Sequence, residues 1–146
     1  MDNTNEGRFM VAMGAIIENH LGQILLVKRS DDKDFAPGIW EYPMGRLKQF
    51  EEPLEGLKRE VREEVGLQIE IIKPLRTFSW IRGKEKDPEK EVVGVVYWAK
   101  ILADETVTLS DEHSEYQWVT PDAALKIIDH PGIKEDIEYF IDEQRY

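Results

Sequence analysis

Three glutamates on one side of a predicted helix are the residues best suited to chemistry in this chain. The segment from Gly45 to Leu67 reads GRLKQFEEPLEGLKREVREEVGL, and Glu60, Glu63 and Glu64 lie in its second half. At about 100° per residue, these side chains share an arc beside the apolar stripe of the helix instead of opposite it. Clustered carboxylates supply the oxygen ligands that Mg²⁺ or Mn²⁺ prefers. The pattern therefore predicts a divalent metal site.

The same glutamates break two local rules of helix stability. Glu60 and Glu64 are a like-charge pair four residues apart, which destabilises an isolated helix. Glu63 and Glu64 lie in the last turn before Gly66, so their charges oppose the helix dipole. A solvated helix explains most charge runs, but Arg59 can pair with Glu63 only in the less favourable order. Function explains these violations better than solubility does.

The elements that position these glutamates predict an α/β (α+β) fold. An apolar stripe of Leu54, Leu57, Val61 and Val65 should turn the helix toward a core. Pro53 suits its first turn and Gly66 its end. The other predicted elements are a hairpin of Phe9–Glu18 and Gln23–Lys28 turning at Gly22, a loop at Ser30–Gly38, a short Ile39–Tyr42 segment, an extended Gln68–Ile81, a central strand at Glu91–Leu102 buried on both faces, a short strand at Tyr116–Val119, and helices at Pro121–Asp129 and Gly132–Gln144. The segment Gly45–Leu67 itself reads as loop, helix, loop. Arg82–Glu91 reads as an exposed hairpin loop, with a lid over the site as the alternative.

This segment resembles the Nudix box, the signature of a family of hydrolases. The family pattern is glycine, five residues, glutamate, seven residues, Arg-Glu, an aliphatic residue, any residue, Glu-Glu, any residue, glycine and an aliphatic residue. The chain matches it without gaps at Gly45, Glu51, Arg59, Glu60, Val61, Glu63, Glu64, Gly66 and Leu67. The resemblance extends to Trp40 and Pro43 before the box and to LSDEHSEYQWV after it, as in MutT-type members. Met44 departs from the family, since most relatives have a second glycine there.

The resemblance implies a Nudix-type α/β/α sandwich with a mixed central sheet, formed by residues 1–146 as a single domain. It implies a Mg²⁺-dependent pyrophosphohydrolase, with Mn²⁺ as the alternative metal, that cleaves a phosphoanhydride bond in a nucleoside di- or triphosphate or another nucleoside diphosphate derivative. The implied metal ligands are Glu60, Glu63, Glu64 and the carbonyl oxygen of Gly45. Glu60 is a frequent candidate for the general base. Arg59 would orient the glutamates through charged hydrogen bonds, and Glu51 would support the loop and helix behind them.

Two further carboxylates lie in the loop before Trp118. Glu112 or Glu115 could bring another carboxylate to the metal or to the attacking water, with an ordinary solvated loop as an equally weighted alternative. His113 is predicted to be a loop residue instead of a ligand, because it has no partner histidine at helical spacing.

Basic and aromatic residues are the candidates for substrate binding. The chain has no GxxxxGK[ST] loop, so phosphate recognition falls to the metal and to scattered basic residues such as Arg29. The alternation in RTFSWIR puts Arg76, Phe78, Trp80 and Arg82 on one strand face, which could stack a base. The alternatives are that Arg29 is an ordinary surface arginine and that the strand aromatics are core residues.

Two more aromatic residues, Phe35 and Trp40, lie just before the box and have the same ambiguity. Trp40 is the one we count among the candidate substrate-binding residues, with Arg29, Phe78 and Trp80.

Composition bounds the possible partners. The 146 residues include no cysteine, which excludes disulfides, thiolate zinc sites and a cysteine nucleophile. The net charge of −11 disfavours long nucleic acids, whose binding draws on Lys and Arg, and leaves small nucleotides as the expected substrates. No leader or membrane span is recognised, so we expect a cytoplasmic protein without a membrane partner. Homodimerisation is left open by the sequence.

Two other functions compete with hydrolysis. One is a catalytically silent nucleotide-sensing module with the same fold, against which the complete set of glutamates argues. The other is an interaction domain whose acidic helix binds a basic partner, and that binding should not require Mg²⁺. An isomerase of isopentenyl diphosphate within the family is disfavoured, because that activity relies on a cysteine.

Overall fold

A single mixed sheet with helices on both faces makes up the part of the chain that the computed structural model describes, residues 7–32, 36–81, 90–104 and 106–145. The elements are β1 (Met10–Glu18), β2 (Ile24–Arg29), β3 (Trp40–Glu41), β4 (Met44–Arg46), α1 (Pro53–Val65), β5 (Ile69–Ile81), β6 (Glu91–Ile101), β7 (His113–Val119), α2 (Pro121–Ile127) and α3 (Pro131–Glu143). The strand order is β3-β2-β1-β6-β5, with β4 paired to β1 and β7 paired to β2. The β1–β6 pair is parallel and the other pairs are antiparallel.

Two apolar clusters fill the spaces between the sheet and its helices. On one face, α1 buries Leu57, Val61 and Val65 against β1, β2 and β6. On the other face, α2 and α3 pack over the sheet through a second cluster that includes Ile137 and Phe140. This arrangement is the α/β/α sandwich with a mixed central sheet that the sequence predicts.

The predicted hairpin is present between β1 and β2. Gly22 adopts φ 77° in the turn, a conformation that glycine reaches without a steric penalty. The Asn19 side-chain oxygen accepts hydrogen bonds from the backbone amides of Leu21 and Gln23, at 3.0 and 2.9 Å. The turn residues therefore set the register that brings Ile24 opposite Glu18.

The ends of α1 follow the predicted signals. The Glu52 carboxylate caps the helix by accepting from the Glu55 amide, Pro53 begins it, and Gly66 ends it in the left-handed conformation at φ 73°. The predicted stripe is wrong at Leu54, whose side chain is exposed. Gly56 faces inward in that first turn instead, since Leu47 and Glu51 pack so close that a Cβ would overlap them.

One strand in the box is missed by the sequence pattern. The structure has β4 at Met44–Arg46, where the sequence predicts only loop, and its residues pair with Ala12, Met13 and Gly14 of β1. Three residues that include a glycine carry no readable alternation, so only the pairing partner defines the strand. This pairing holds Gly45 beside Met13 of β1.

The predicted central strand β6 lies between β1 and β5, but its burial is not complete on both faces. Val92 and Val96 are buried, whereas Val93 and Val95 are half-buried because α1 covers only part of that side. Gly94 pairs with Ala12 on one side and Phe78 on the other, and an added Cβ would overlap both.

The remaining differences concern element ends. The last strand, β7, starts at His113, three residues before its predicted start. The α2 helix ends at Ile127 instead of Asp129, because Pro131 opens α3 with His130 as its cap. The predicted loop or lid at Arg82–Glu91 lies almost wholly outside the described residues, as does Phe35. No helix in the described ranges is long and apolar enough to span a membrane.

Candidate active site

A cavity of about 790 Å³ lies between the box, β5 and the start of α3. Its lining includes six carboxylates: Glu41, Glu60, Glu64 and Glu112 at one part, and Glu135 and Asp136 from α3 at the other. Gly45 also lines it, as do Phe78 and Trp80 from β5. The cavity therefore brings the predicted metal-binding segment and the predicted aromatic strand face to one space.

Glu64 is the most unusual of these carboxylates. Its residue surface is only 4% exposed, and its Oε2 atom is buried with no hydrogen-bond partner in the part of the chain that the structure describes. Burial, together with the smaller effects of the charges of Glu112, Glu60 and Glu41, raises the pKa of Glu64 to about 10. A hydrogen bond from the Met44 amide opposes this shift only in part. The α1 helix thus turns an uncompensated carboxyl group into the cavity.

Glu60 lies one helical turn before Glu64 and packs on the backbone at Gly45. A Cβ at position 45 would overlap the Glu60 carboxylate, so the close approach requires glycine there. Burial raises the pKa of Glu60, while its hydrogen bond with Arg59 lowers it. This contact explains physically why the box carries glycine at this position.

Arg59 holds the loop and the helix together. Its guanidinium donates to both oxygens of Glu51, from Nε to Oε2 at 2.6 Å and from Nη2 to Oε1 at 2.9 Å. Its Nη1 atom donates to Glu60 Oε1 and to Glu63 Oε2, both at 2.9 Å. Glu51 also accepts from the Lys48 amide at 3.0 Å. These contacts have the orienting geometry that the sequence predicts for Arg59 and the supporting geometry predicted for Glu51.

The structure does not bring Glu63 into the cavity. Its side chain is 55% exposed and pairs with Arg59 on the outer side of the helix. Glu63 is therefore the predicted ligand whose position fits the metal site least well, because its helical angle differs from the one that Glu60 and Glu64 share.

The donor set in the cavity fits a hard divalent cation. No three acidic or histidine side chains within the described ranges are already arranged to hold a metal ion. Mg²⁺, however, is commonly held by one or two carboxylates together with water and substrate phosphates. The unpaired buried oxygen of Glu64 and the closeness of Glu60 to Gly45 are what such a site requires.

The two candidate carboxylates before Trp118 separate clearly. Glu112 lines the cavity and raises the pKa of Glu64 through its charge. Glu115 lies on β7 and pairs with Lys28 at 3.3 Å, and it is not among the lining residues. Of the two, only Glu112 is positioned to act on a bound molecule.

The candidate substrate-binding residues also separate. Arg29, Phe78 and Trp80 line the cavity. Trp40 is not among the lining residues and packs at the edge of the apolar cluster beneath α2 and α3. This is the core alternative that the sequence leaves open for Trp40.

The sequence misses a second polar group at the far part of the cavity. Tyr42 donates from its hydroxyl to Asp136 Oδ2 at 2.6 Å, and Arg76 lies 3.6 Å from Asp136 Oδ1 and 3.3 Å from Glu135. Burial raises the pKa of both Tyr42 and Asp136. The available signal is the RTFSWIR alternation, which selects Arg76 but names no partner on α3.

Glu41 and His113 are the other residues that the sequence misses. The prediction that His113 lies in a loop is wrong, because His113 begins β7 and its side chain is only 1% exposed. Its Nε2 atom lies 3.1 Å from Glu41 Oε2. The pair joins residues 72 positions apart, so no local spacing could indicate it.

Comparisons with known proteins agree with this geometry. The family model for the NUDIX domain matches residues 8–141. Nucleoside triphosphatase NudI of Escherichia coli is 34% identical over 112 residues, which cover 73% of this chain and 79% of that protein. The crystal structure of the MutT protein from Methanosarcina mazei Go1 superposes with a TM-score of 0.79 at 29% identity, covering 98% of this chain and 100% of that one. An Ap4A hydrolase from C. elegans shares the fold, with a TM-score of 0.76 at 22% identity over 93% of this chain and 98% of that one.

The fold and the carboxylate-lined cavity, taken with these relatives, define a hydrolase. The chain belongs to the Nudix family. Hydrolases of this family generally depend on a divalent metal and act on small nucleotide substrates.

Proposed function

We propose that this protein is a Mg²⁺-dependent pyrophosphohydrolase that cleaves a phosphoanhydride bond of a nucleoside triphosphate or a related nucleoside diphosphate derivative. The observation that carries the proposal is that one cavity is lined by Glu60, Glu64 and Glu112 and also by Phe78 and Trp80. A space of about 790 Å³ is within the range of ligand pockets for small molecules. The similarity to a nucleoside triphosphatase supports the choice of substrate class.

Glu60, Glu64 and the carbonyl oxygen of Gly45 would hold the metal from the protein side, and Glu63 would join them only by leaving Arg59. When bound, Mg²⁺ neutralises charge on the substrate phosphates and makes a nearby water more acidic. Arg59 keeps Glu60 oriented through its 2.9 Å hydrogen bond, and Glu51 keeps Arg59 in place. The protein thus supplies two rigid oxygen donors from adjacent turns of one helix.

The base that takes the proton of the attacking water would be a glutamate of the same cavity. Glu60 is the candidate that the family resemblance favours, and Glu112 is the second, because it lines the cavity and lies outside α1. Either carboxylate can accept a proton once the cation has balanced the local negative charge.

The nucleoside would lie along β5. Phe78 and Trp80 share the strand face that lines the cavity, and aromatic rings stack on bases of any kind. Met44, where most relatives carry glycine, also lines the cavity and narrows the space available to the substrate. We therefore expect selection among nucleotides to depend on this strand face and on Met44.

A hydrolysis screen with Mg²⁺ tests the proposal. The substrates are canonical and oxidised nucleoside triphosphates, ADP-ribose, dinucleoside polyphosphates and nucleotide sugars, and the nucleotide products are resolved by anion-exchange chromatography, because several of these substrates release neither phosphate nor pyrophosphate. We expect turnover of at least one nucleoside triphosphate, loss of that turnover with EDTA, and recovery on adding excess Mg²⁺. The same assay on Glu60→Gln controls for contaminating phosphatases.

Two results would contradict the proposal. Activity that persists in excess EDTA would remove the metal from the reaction. Nucleotide binding without turnover of any substrate would instead favour the silent sensing module, and calorimetric titration with a nucleoside triphosphate would detect it.

A further inference from the structure

His113 is buried at the start of an otherwise exposed strand. The four residues that follow it on β7 are all exposed, whereas its own side chain is 1% exposed. The pairing of β7 with β2 shifts register between Lys28 and Arg29, and this bulge sets His113 opposite Arg29. Bulges of this kind redirect a side chain at the edge of a sheet. Here the redirected side chain is the imidazole.

The hydrogen bonds of His113 define its tautomer. Nε2 lies 3.1 Å from Glu41 Oε2, while Nδ1 is buried without a hydrogen-bond partner among the described residues. A buried N–H without a partner costs more than a bare nitrogen lone pair, so the proton belongs on Nε2. His113 therefore donates to the Glu41 carboxylate.

Glu41 connects His113 with a residue of the cavity wall. Its Oε2 atom also lies 3.8 Å from Nη1 of Arg29. Glu41 and Arg29 both line the cavity, whereas His113 is not among the lining residues. A chain of contacts thus runs from His113 in the interior through Glu41 to Arg29 at the wall.

We propose that His113 is a positioning residue for phosphate binding: through Glu41 it fixes the guanidinium of Arg29 so that Arg29 binds the phosphate groups of the substrate. This inference rests on the proposed function. Six carboxylates line the cavity and repel phosphate when they are ionised, and a guanidinium is the side chain best shaped to bind phosphate. Two other arginines line the cavity: Arg76, which contacts Glu135 and Asp136, and Arg46, whose Nη1 atom lies 3.0 Å from the sulfur of Met10.

Three substitutions at His113 distinguish the effect of its hydrogen bond to Glu41 from the effect of its side-chain volume. In Gln the side-chain amide nitrogen reaches the place of Nε2, whereas in Asn it falls near Nδ1, and Ala removes both. We expect His113→Ala and His113→Asn to raise KM for the best nucleoside triphosphate about tenfold while kcat changes less than about threefold. His113→Gln should restore KM to near the parent value. Inorganic triphosphate, tested as a competitive inhibitor, should lose affinity in parallel with KM.

The decisive measurement is a cycle with Arg29→Ala. If His113 acts through Arg29, then adding His113→Asn to Arg29→Ala leaves KM at the value of Arg29→Ala alone. The matched control is His20→Ala, which removes an exposed histidine paired with Asp104 and should leave KM and kcat unchanged. Thermal melting of each variant identifies any that does not fold, and the Asn and Gln pair replaces Ala if His113→Ala is unfolded.

Two results would overturn the inference if the unaltered protein hydrolyses nucleotides. One is a double variant whose KM rises by the product of the two single effects, and the other is a fall in kcat with KM unchanged. Failure of the unaltered protein to hydrolyse any nucleotide would instead refute the proposed function. In that event, inorganic triphosphate binding followed by calorimetry still tests the link, and equal affinity in the Asn and Gln variants would refute it.

Discussion

At the scale of single residues, the three box glutamates occupy different environments. Glu64 is buried with an oxygen that has no partner among the described residues. Glu60 packs on Gly45 and lines the cavity, and Glu63 is largely exposed. Glu64 and the half-buried Glu60 have raised pKa values, because burial disfavours their charged forms in the metal-free protein. A cation bound between them would favour the charged forms, which agrees with the metal site that we propose.

This difference predicts graded effects of three isosteric substitutions. Glu60→Gln and Glu64→Gln should each lower kcat/KM by about a hundredfold or more, whereas Glu63→Gln should lower it by about tenfold or less. Glu64→Gln should also unfold at a temperature at least as high as the parent in EDTA, because it removes a carboxyl group whose raised pKa destabilises the metal-free folded state near neutral pH. Steady-state kinetics and melting curves measure both effects. Equal losses in all three variants would show that Glu63 moves into the cavity during turnover.

Residue spacing along α1 could predict Glu60 and Glu64, because helix geometry alone sets their common direction. The same spacing could not rank Glu63 below them, since Leu54 is exposed and the inward face is displaced toward Gly56. Glu41 and His113 could not be predicted at all, because their contact depends on how β3 and β7 pair with β2. Local periodicity gives directions within an element and nothing about neighbouring elements.

At the scale of elements, the loop before α1 is joined to the helix by one ion pair. Glu51 binds both Arg59 and the Lys48 amide, and the hydrogen bond with Arg59 lowers the pKa of Glu51 to about 2. A carboxyl group whose pKa is lower in the folded state stabilises folding above its unfolded pKa. That contribution disappears as pH falls toward the folded value.

The sign of this shift predicts the acid response of Glu51→Gln. At pH 7 the variant should be less stable than the parent toward urea, and the difference should shrink as pH is lowered from about 5 to about 2. Glu70→Gln is the control for losing one negative charge, since Glu70 is exposed on β5. A difference between parent and Glu51→Gln that stays constant over this pH range would mean that the ionised pair does not support the loop.

The elements themselves were predictable wherever long patterns exist. The β1–β2 hairpin, α1, β5, β6 and α3 follow their apolar periodicity and their Gly or Pro boundaries. The short β4 was not predictable, because a strand of three residues is defined by pairing with β1 and not by its own sequence. That strand carries Gly45, so the missed element is one that builds the site.

At the scale of the whole molecule, negative charge is concentrated on a small domain. The chain carries a net charge of −11, and six carboxylates line one cavity. Salt of any kind at about 0.1 M screens the surface charge, whereas a bound divalent cation would relieve the repulsion among Glu41, Glu60, Glu64 and Glu112. The two effects differ in their dependence on cation valence and on the cavity residues.

Magnesium should therefore stabilise the metal-free protein by binding and not by screening alone. We expect MgCl₂ to raise Tm by about 3–11 °C above the value in NaCl of equal ionic strength, as binding at about ten to a hundred times Kd would do. Glu64→Gln should start from an equal or higher Tm in EDTA and lose most of the Mg²⁺ response, because its neutral side chain is a poor ligand for the cation. Glu63→Gln, whose side chain points away from the cavity, should keep that response. Differential scanning calorimetry on the three proteins measures all of these shifts, and an equal response to MgCl₂ and NaCl would refute a metal site in the cavity.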